Sequence, residues 1–203
     1  MGKFYDNMEP EVYTEMLSMI NFTEKDVIAK LVYETLALPK DSWIFDAGCG
    51  VGIIAEMLNG QGYKNIDGAD ASEKSVDFAM SKGWYTDCDA FFFGNGVDVF
   101  PDKFKGKFDC CCASGVFMPN HMPPAAMDDI HVSLKTGGYF VTAMRSYLYV
   151  DGEKHGYKDK MEELVKEGKF RLHSKGDFAR GYKDGHQLFS EQSSVYVVLQ
   201  RVD

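Results

Sequence analysis

The sequence has no long hydrophobic run. Its longest predominantly apolar stretches, residues 27–32 and 108–117, fall far short of the roughly 20 residues that cross a bilayer, so no membrane span is expected. The opening residues Met1-Gly2-Lys3-Phe4-Tyr5-Asp6 lack the apolar segment of a signal peptide, and no leader is expected. Runs of lysine or arginine are missing too. Twenty-two basic residues face 31 acidic ones, a net charge of −9. Such a balance repels phosphate backbones, so nucleic acid is not an expected partner. Cysteine is sparse: there are five, and Cys110, Cys111 and Cys112 are adjacent. That pattern suits neither a disulfide framework nor paired metal ligands. His131, His155, His173 and His186 show no ligand-like spacing with one another or with the cysteines, and no metal is expected. A reducing, cytoplasmic setting follows as the default. The chain also lacks internal repeats, low-complexity segments and any composition shift that would mark a linker.

What is present is ordinary globular material. The 203 residues are 45% hydrophobic and 26% charged, enough to build one core, and one domain is expected over 1–203. Residues 9–20 and 23–38 read as helices, the second with Val27, Leu31, Thr35 and Leu38 near a 3.6-residue period, Thr23 as its N-cap and Pro39 as its stop. From residue 42 short apolar runs alternate with helical pieces. Strands are expected at 43–45, 65–69, 90–93, 108–113 and 138–144, with helices at 52–59 and 72–82. A further helix is expected with Pro124 in its first turn and Gly137 just past its end. Alternation of this kind implies a parallel sheet with helices on both faces. Beyond Arg145 an amphipathic helix at 159–167 and strands at 170–174 and 194–201 complete the pattern. The expected division is an N-terminal helical cover (1–40), a ligand-binding core (41–145) and a C-terminal part that completes the sheet (146–203).

The chemistry concentrates in Asp46-Ala47-Gly48-Cys49-Gly50-Val51-Gly52, between the first strand and the following helix. Three alternate glycines let the backbone turn tightly and let a ligand lie against main-chain atoms. A dinucleotide loop reads G-x-G-x-x-G, but the position of its third glycine holds Ile53. The acidic Asp46 at the strand end would oppose a pyrophosphate and favour a cation such as an ammonium or sulfonium. Asp70, ending the second strand, is suited to both hydroxyls of a ribose. Together these residues select a nucleoside with a cationic tail.

The chain here resembles the class I S-adenosylmethionine-dependent methyltransferases. Asp46–Gly52 stands in the place of that family's first motif and Asp70, followed by Ala71, in the place of its ribose-binding acid. Residues 94–109 (GNGVDVFPDKFKGKFD) resemble the stretch that borders the adenine, which implies Asn95 and Gly96 there, with Asn95 where aspartate is common. Residues 114–124 (SGVFMPNHMPP) and 134–145 (LKTGGYFVTAMR) follow in the family's order and bring Ser114 and Gly115 to the cofactor. The opening FYDNMEPEVY resembles a segment that covers the cofactor, with Tyr5 and Tyr13 near its methionine end. Residues 115–124 and the Tyr-Lys after the fifth strand are similar to the Williams-Beuren syndrome chromosome region methyltransferase-like branch.

The resemblance implies a Rossmann-like seven-stranded, mostly parallel α/β sheet, last strand antiparallel, binding S-adenosyl-L-methionine and releasing S-adenosyl-L-homocysteine. The implied cofactor residues are Tyr5, Tyr13, Asp46, Gly48, Cys49, Gly50, Gly52, Asp70, Ala71, Asn95, Gly96, Ser114 and Gly115. His121, on the loop after the fourth strand, is a residue type that exchanges protons near neutrality and is the candidate base; it could equally cap the next helix or face solvent. Arg145 either holds an acceptor carboxylate or pairs with a surface acid. Trp84 and Tyr85 either line the pocket or pack under the sheet, and Tyr5 and Tyr13 either cover the cofactor or pack on the core. The cysteine triplet reads as small apolar filler of a buried strand. A small-molecule acceptor is expected, the rivals being a non-catalytic cofactor-binding protein and a protein methyltransferase.

Overall fold

A computed structural model describes residues 9–19, 23–180 and 192–203. Two helices, α1 (Pro10–Met19) and α2 (Glu24–Lys30), precede the sheet, and α2 runs into a wider π turn at Leu31–Thr35. There follow β1 (Ile44–Ala47), α3 (Ile53–Gly60), β2 (Ile66–Asp70), α4 (Glu73–Ser81), β3 (Asp87–Ala90) and β4 (Phe108–Ala113). The chain closes with α5 (Ala126–Ser133), β5 (Leu134–Arg145), α6 (Tyr157–Lys166), β6 (Phe170–Arg180) and β7 (Gln192–Arg201).

The seven strands form one sheet in the order β3-β2-β1-β4-β5-β7-β6. The pairs from β3 through β5 are parallel, and β7 runs antiparallel to both its neighbours. The expected Rossmann-like fold is what the chain adopts. Strand order reverses direction between β1 and β4, and such a reversal opens a crevice at the strands' carboxyl ends.

Side-chain alternation gives each face its own core. Phe45 on β1 points to one face, where it stacks on Phe108 at 4.7 Å and meets Phe93, Phe100 and Phe104. Ile44 points to the other, beneath Ile28, Ala29, Ile54 and Leu58. The three adjacent cysteines behave as the sequence suggests: all are fully buried in β4, Cys111 on the phenylalanine face and Cys110 and Cys112 on the opposite one. Small residues in the middle of the sheet let helices approach from both sides.

Several boundaries differ from expectation. The third strand is Asp87–Ala90 and not 90–93, because Phe91 and Phe93 leave the sheet to join the aromatic cluster. The strand itself is an edge whose Asp87 and Asp89 both pair with Lys103, a charged rim of the kind that discourages further strand pairing. The helix expected to run up to Gly137 stops at Ser133. Leu134 already pairs with Phe108, and the register slips before Cys110 meets Tyr139, so Gly137 (φ +85°) lies in a bulged stretch of β5. The second helix ends at Thr35, well before Pro39. Thr23 occupies its N-cap position but makes no side-chain cap there, unlike Ser72, whose hydroxyl accepts from Ser75 N at the start of α4. β6 continues past Ser174 to Arg180, held by pairing with β7 where its own sequence turns polar.

Replacing Phe45 by alanine removes the ring common to four aromatic contacts. The expected loss is about 3–5 kcal/mol of unfolding free energy, read from urea denaturation.

Candidate active site

At the carboxyl ends of β1, β2 and β4 lies a cleft of about 320 Å³. Its floor is the glycine loop. Gly48 N and Cys49 N both donate to Ala69 O, at 2.8 and 3.0 Å, so the loop is tied to β2 as it leaves β1. Asp70 completes the tie: its Oδ2 accepts from Gly50 N at 2.9 Å and its Oδ1 from Ser72 N at 3.0 Å. One carboxylate thus fixes the loop and the start of α4. Gly48, Gly50 and Gly52 all have positive φ. A Cβ built on Gly50 would meet nothing within 4 Å, so it would project into the space the loop encloses.

Asp46 is 1% exposed, and Tyr85 Oη donates to its Oδ2 at 2.7 Å. Burial pushes its carboxyl up to about 7; the Tyr85 hydrogen bond opposes this, and the charge of Asp70 adds to it. Tyr85 and Trp84, whose placement the sequence left open, pack beneath the loop against Gly52 and do not line the cleft.

Of the residues singled out from sequence, Tyr13, Asp46, Gly48, Cys49, Gly50, Asp70, Ala71, Ser114, Gly115 and His121 all line the cleft. Gly52 lies behind the loop as the N-cap of α3. Asn95 and Gly96 are exposed and stand outside the cleft, which Phe92 and Phe93 line instead. Asn95 Nδ2 donates to Phe92 O at 3.3 Å. Tyr5 falls outside the described residues. Cys49 Sγ lies 3.5 Å from Cys88 Sγ, and that contact together with burial holds the Cys49 thiol well above its usual range. Arg145 ends β5 and is not among the residues that line the cleft.

His121 Nδ1 lies 3.2 Å from Pro119 O. A carbonyl only accepts, so Nδ1 carries the hydrogen and a neutral ring keeps its lone pair on Nε2.

Sequence reasoning missed two buried acids that shape the opposite wall. Glu24, 1% exposed, accepts from Gly115 N at 2.8 Å through Oε1 and so docks the start of α2 on the loop after β4. Asp129, 2% exposed, accepts from Gly94 N at 2.6 Å and fixes the turn after Phe93. An acid in the first turn of a helix is common, so neither position carried a signal. Lys25, beside Glu24, also lines the cleft and pairs with Asp26 at 3.2 Å. Among the described residues, no helix is long and apolar enough to cross a membrane, and no group of three His, Cys, Asp or Glu is placed to hold a metal.

This glycine loop, flanked by acids at the ends of β1 and β2, belongs to a known class. The family model described as "Methyltransferase domain" matches residues 21–191, and the chain is a member of that family. It is 23% identical over 162 residues to human methyltransferase-like protein 27, covering 80% of this chain and 63% of that protein. It is 30% identical over 105 residues to the mouse 18S rRNA (guanine-N(7))-methyltransferase, covering 51% and 36%. The chain therefore spans less than two thirds of either relative. Among solved structures it is similar to magnesium protoporphyrin IX methyltransferase from Synechocystis PCC 6803, with a TM-score of 0.66, 16% identity, and 98% and 97% of the two chains covered.

The raised carboxyl of Asp46 makes stability depend on pH. An acid whose folded value is above its unfolded one binds protons more tightly when folded, so stability is full below the ordinary aspartate value of 3.8 and falls as pH rises toward about 7. Urea midpoints are expected to drop across this window in the wild type, and the drop is expected to shrink in Asp46→Asn.

Proposed function

We propose that the chain transfers a methyl group from S-adenosyl-L-methionine to a small-molecule acceptor, releasing S-adenosyl-L-homocysteine. The observation that carries this is the glycine loop pinned between two carboxylates: Asp70 bonded to Gly50 N and Asp46 buried behind the loop. The residues suit the cofactor. The open side of Gly50 leaves main chain accessible, Asp70 has acceptor capacity for ribose hydroxyls, and Asp46 offers negative charge to an ammonium. Phe92 and Phe93 give an apolar wall for the adenine, the part implied for Asn95 and Gly96 from sequence. When bound, S-adenosyl-L-methionine supplies a methyl group on a sulfonium, open to in-line displacement.

The chain's own contribution is chiefly positioning, since holding reactants in line lowers the barrier without a covalent step. Tyr13, Met16 and Leu17 on α1 cover the cleft from one side. His121, on the cleft wall with its Nδ1 at 3.2 Å from Pro119 O, is the side chain placed to take a proton from the acceptor where one must leave. The N-terminal helices thus act as cover, residues 41–145 as cofactor core and the remainder as acceptor side of one domain. The mouse relative's name makes RNA an acceptor class to test, and the net charge of −9 weighs against it. The likeness of residues 115–124 to the Williams-Beuren branch is a finer form of the same reading. Five unbridged, buried cysteines suit a reducing compartment such as the cytoplasm.

Calorimetry with S-adenosylmethionine, S-adenosylhomocysteine and NAD tests the cofactor; tight binding of NAD alone would overturn the reading. Asp70→Ala is expected to weaken both adenosyl ligands at least tenfold, as hydrogen bonds to a charged group are worth about 1.5–3 kcal/mol. Affinity for a cationic ligand is expected to rise as pH passes through about 7 and Asp46 ionises. His121→Ala is expected to lower turnover by about 10²–10⁴ with unchanged cofactor affinity, measured with a labelled methyl group.

A further inference from the structure

Eight buried side-chain polar atoms among the described residues lack a hydrogen-bond partner. Half of them, Ser114 Oγ, Arg145 Nε, Ser146 Oγ and Ser194 Oγ, belong to residues where β4 and β5 end and β7 begins. Buried polar groups in folded proteins are nearly always paired, so a concentration of exceptions at one edge of a sheet marks a place where something else supplies the partner.

Register brings these residues together. Arg145 sits directly opposite Ser194 in the antiparallel β5–β7 pair, so both side chains leave the same face of the sheet. The preceding same-face pair is Ala143 and Tyr196, which belongs to the core roofed by Ile28 and Ala29 of α2. Ser194 is fully buried. Ser114 follows β4 at the level just beyond Ala113 and Thr142, and it also lines the cleft. Asp70 on β2 and Arg145 on β5 are three strand spacings apart, roughly 14 Å, on opposite flanks of the crevice between β1 and β4.

The chemistry of the cluster is that of an anion site. Arg145 makes no ion pair among the described residues, although the chain holds 31 acids. A partly buried guanidinium without a counter-charge is unfavourable, and the planar fork matches a carboxylate or a phosphate. The Ser194 hydroxyl, opposite it in the register, offers a donor to the same oxygens. We infer that the acceptor carries a carboxylate or phosphate bound by Arg145 together with Ser194, with Ser114 between this group and the cofactor. This rests on the reading of the chain as a small-molecule methyltransferase. Sequence alone left Arg145 between an acceptor and a surface acid; the absence of an acid partner among the described residues favours the acceptor.

The test separates a metabolite extract on an anion exchanger and treats each fraction with methyl-labelled cofactor and the full chain. Label is expected in the retained, anionic fraction. It is expected to fall at least tenfold with Arg145→Met and less with Arg145→Lys, while calorimetric affinity for S-adenosylhomocysteine stays unchanged. Label only in the unretained fraction, or equal labelling by Arg145→Met, overturns the anion site and leaves the small-molecule reading standing. Label on protein or RNA overturns both. The Arg145 Nε–H resonance, assigned by its loss in Arg145→Lys, gives an answer independent of turnover. A saturable shift on adding inorganic phosphate or succinate to the S-adenosylhomocysteine-bound protein supports the site, and no shift with either overturns it.

Discussion

A carboxylate buried at the end of the central strand is the constraint around which the upper edge of this sheet is organised. Asp46 accepts a hydrogen bond there from Tyr85 Oη, which arrives from the segment leading into β3. Room for the tyrosine ring exists because Gly68 on β2 has no side chain: a Cβ there would lie 2.8 Å from the ring. The missing side chain on one strand thus admits the ring that satisfies the acid on the next. The same ring backs the glycine loop, so the loop's shape depends on the same contact.

From this arrangement follows a division of labour across the sheet. On the β1–β2 side the carboxylates of Asp46 and Asp70 border the cleft; on the β5–β7 side stand a guanidinium and hydroxyls. Opposite polarities on the two flanks of one crevice would orient a bound pair of molecules with their charged ends apart and their reacting atoms near the middle. Glu24 and Asp129 hold the far wall in place by accepting hydrogen bonds from loop amides. Each acts at long sequence separation, 91 and 35 residues.

That separation explains what could and could not be read from the sequence. Central strands β1, β2 and β4 were legible because they are buried on both faces and their composition says so. The glycine loop was legible because backbone conformation leaves a compositional mark. The third strand lies three residues earlier than expected because the run 91–93 has strand-like composition, yet the rings of Phe91 and Phe93 serve the core below the sheet. With that strand ending at Ala90, the cleft wall falls on Phe92 and Phe93, whereas the family motif pointed to Asn95 and Gly96. The later part of β6 was missed since an edge strand can be polar and still pair. Tyr85, Glu24 and Asp129 owe their roles to partners far along the chain, and local sequence gives no account of such meetings.

The thiols add a consequence of a different kind. Cys110, Cys111 and Cys112 are wholly enclosed, while Cys49 on the cleft and Cys88, whose sulfur lies 3.5 Å from that of Cys49, retain 7% and 9% of their surface. A thiol reagent would therefore meet two tiers of protection. Opening of the glycine loop alone would expose the first pair, whereas the triplet would react only when β4 is torn from between its neighbours. The chain thus carries its own clock for distinguishing local breathing at the ligand site from unfolding of the whole sheet.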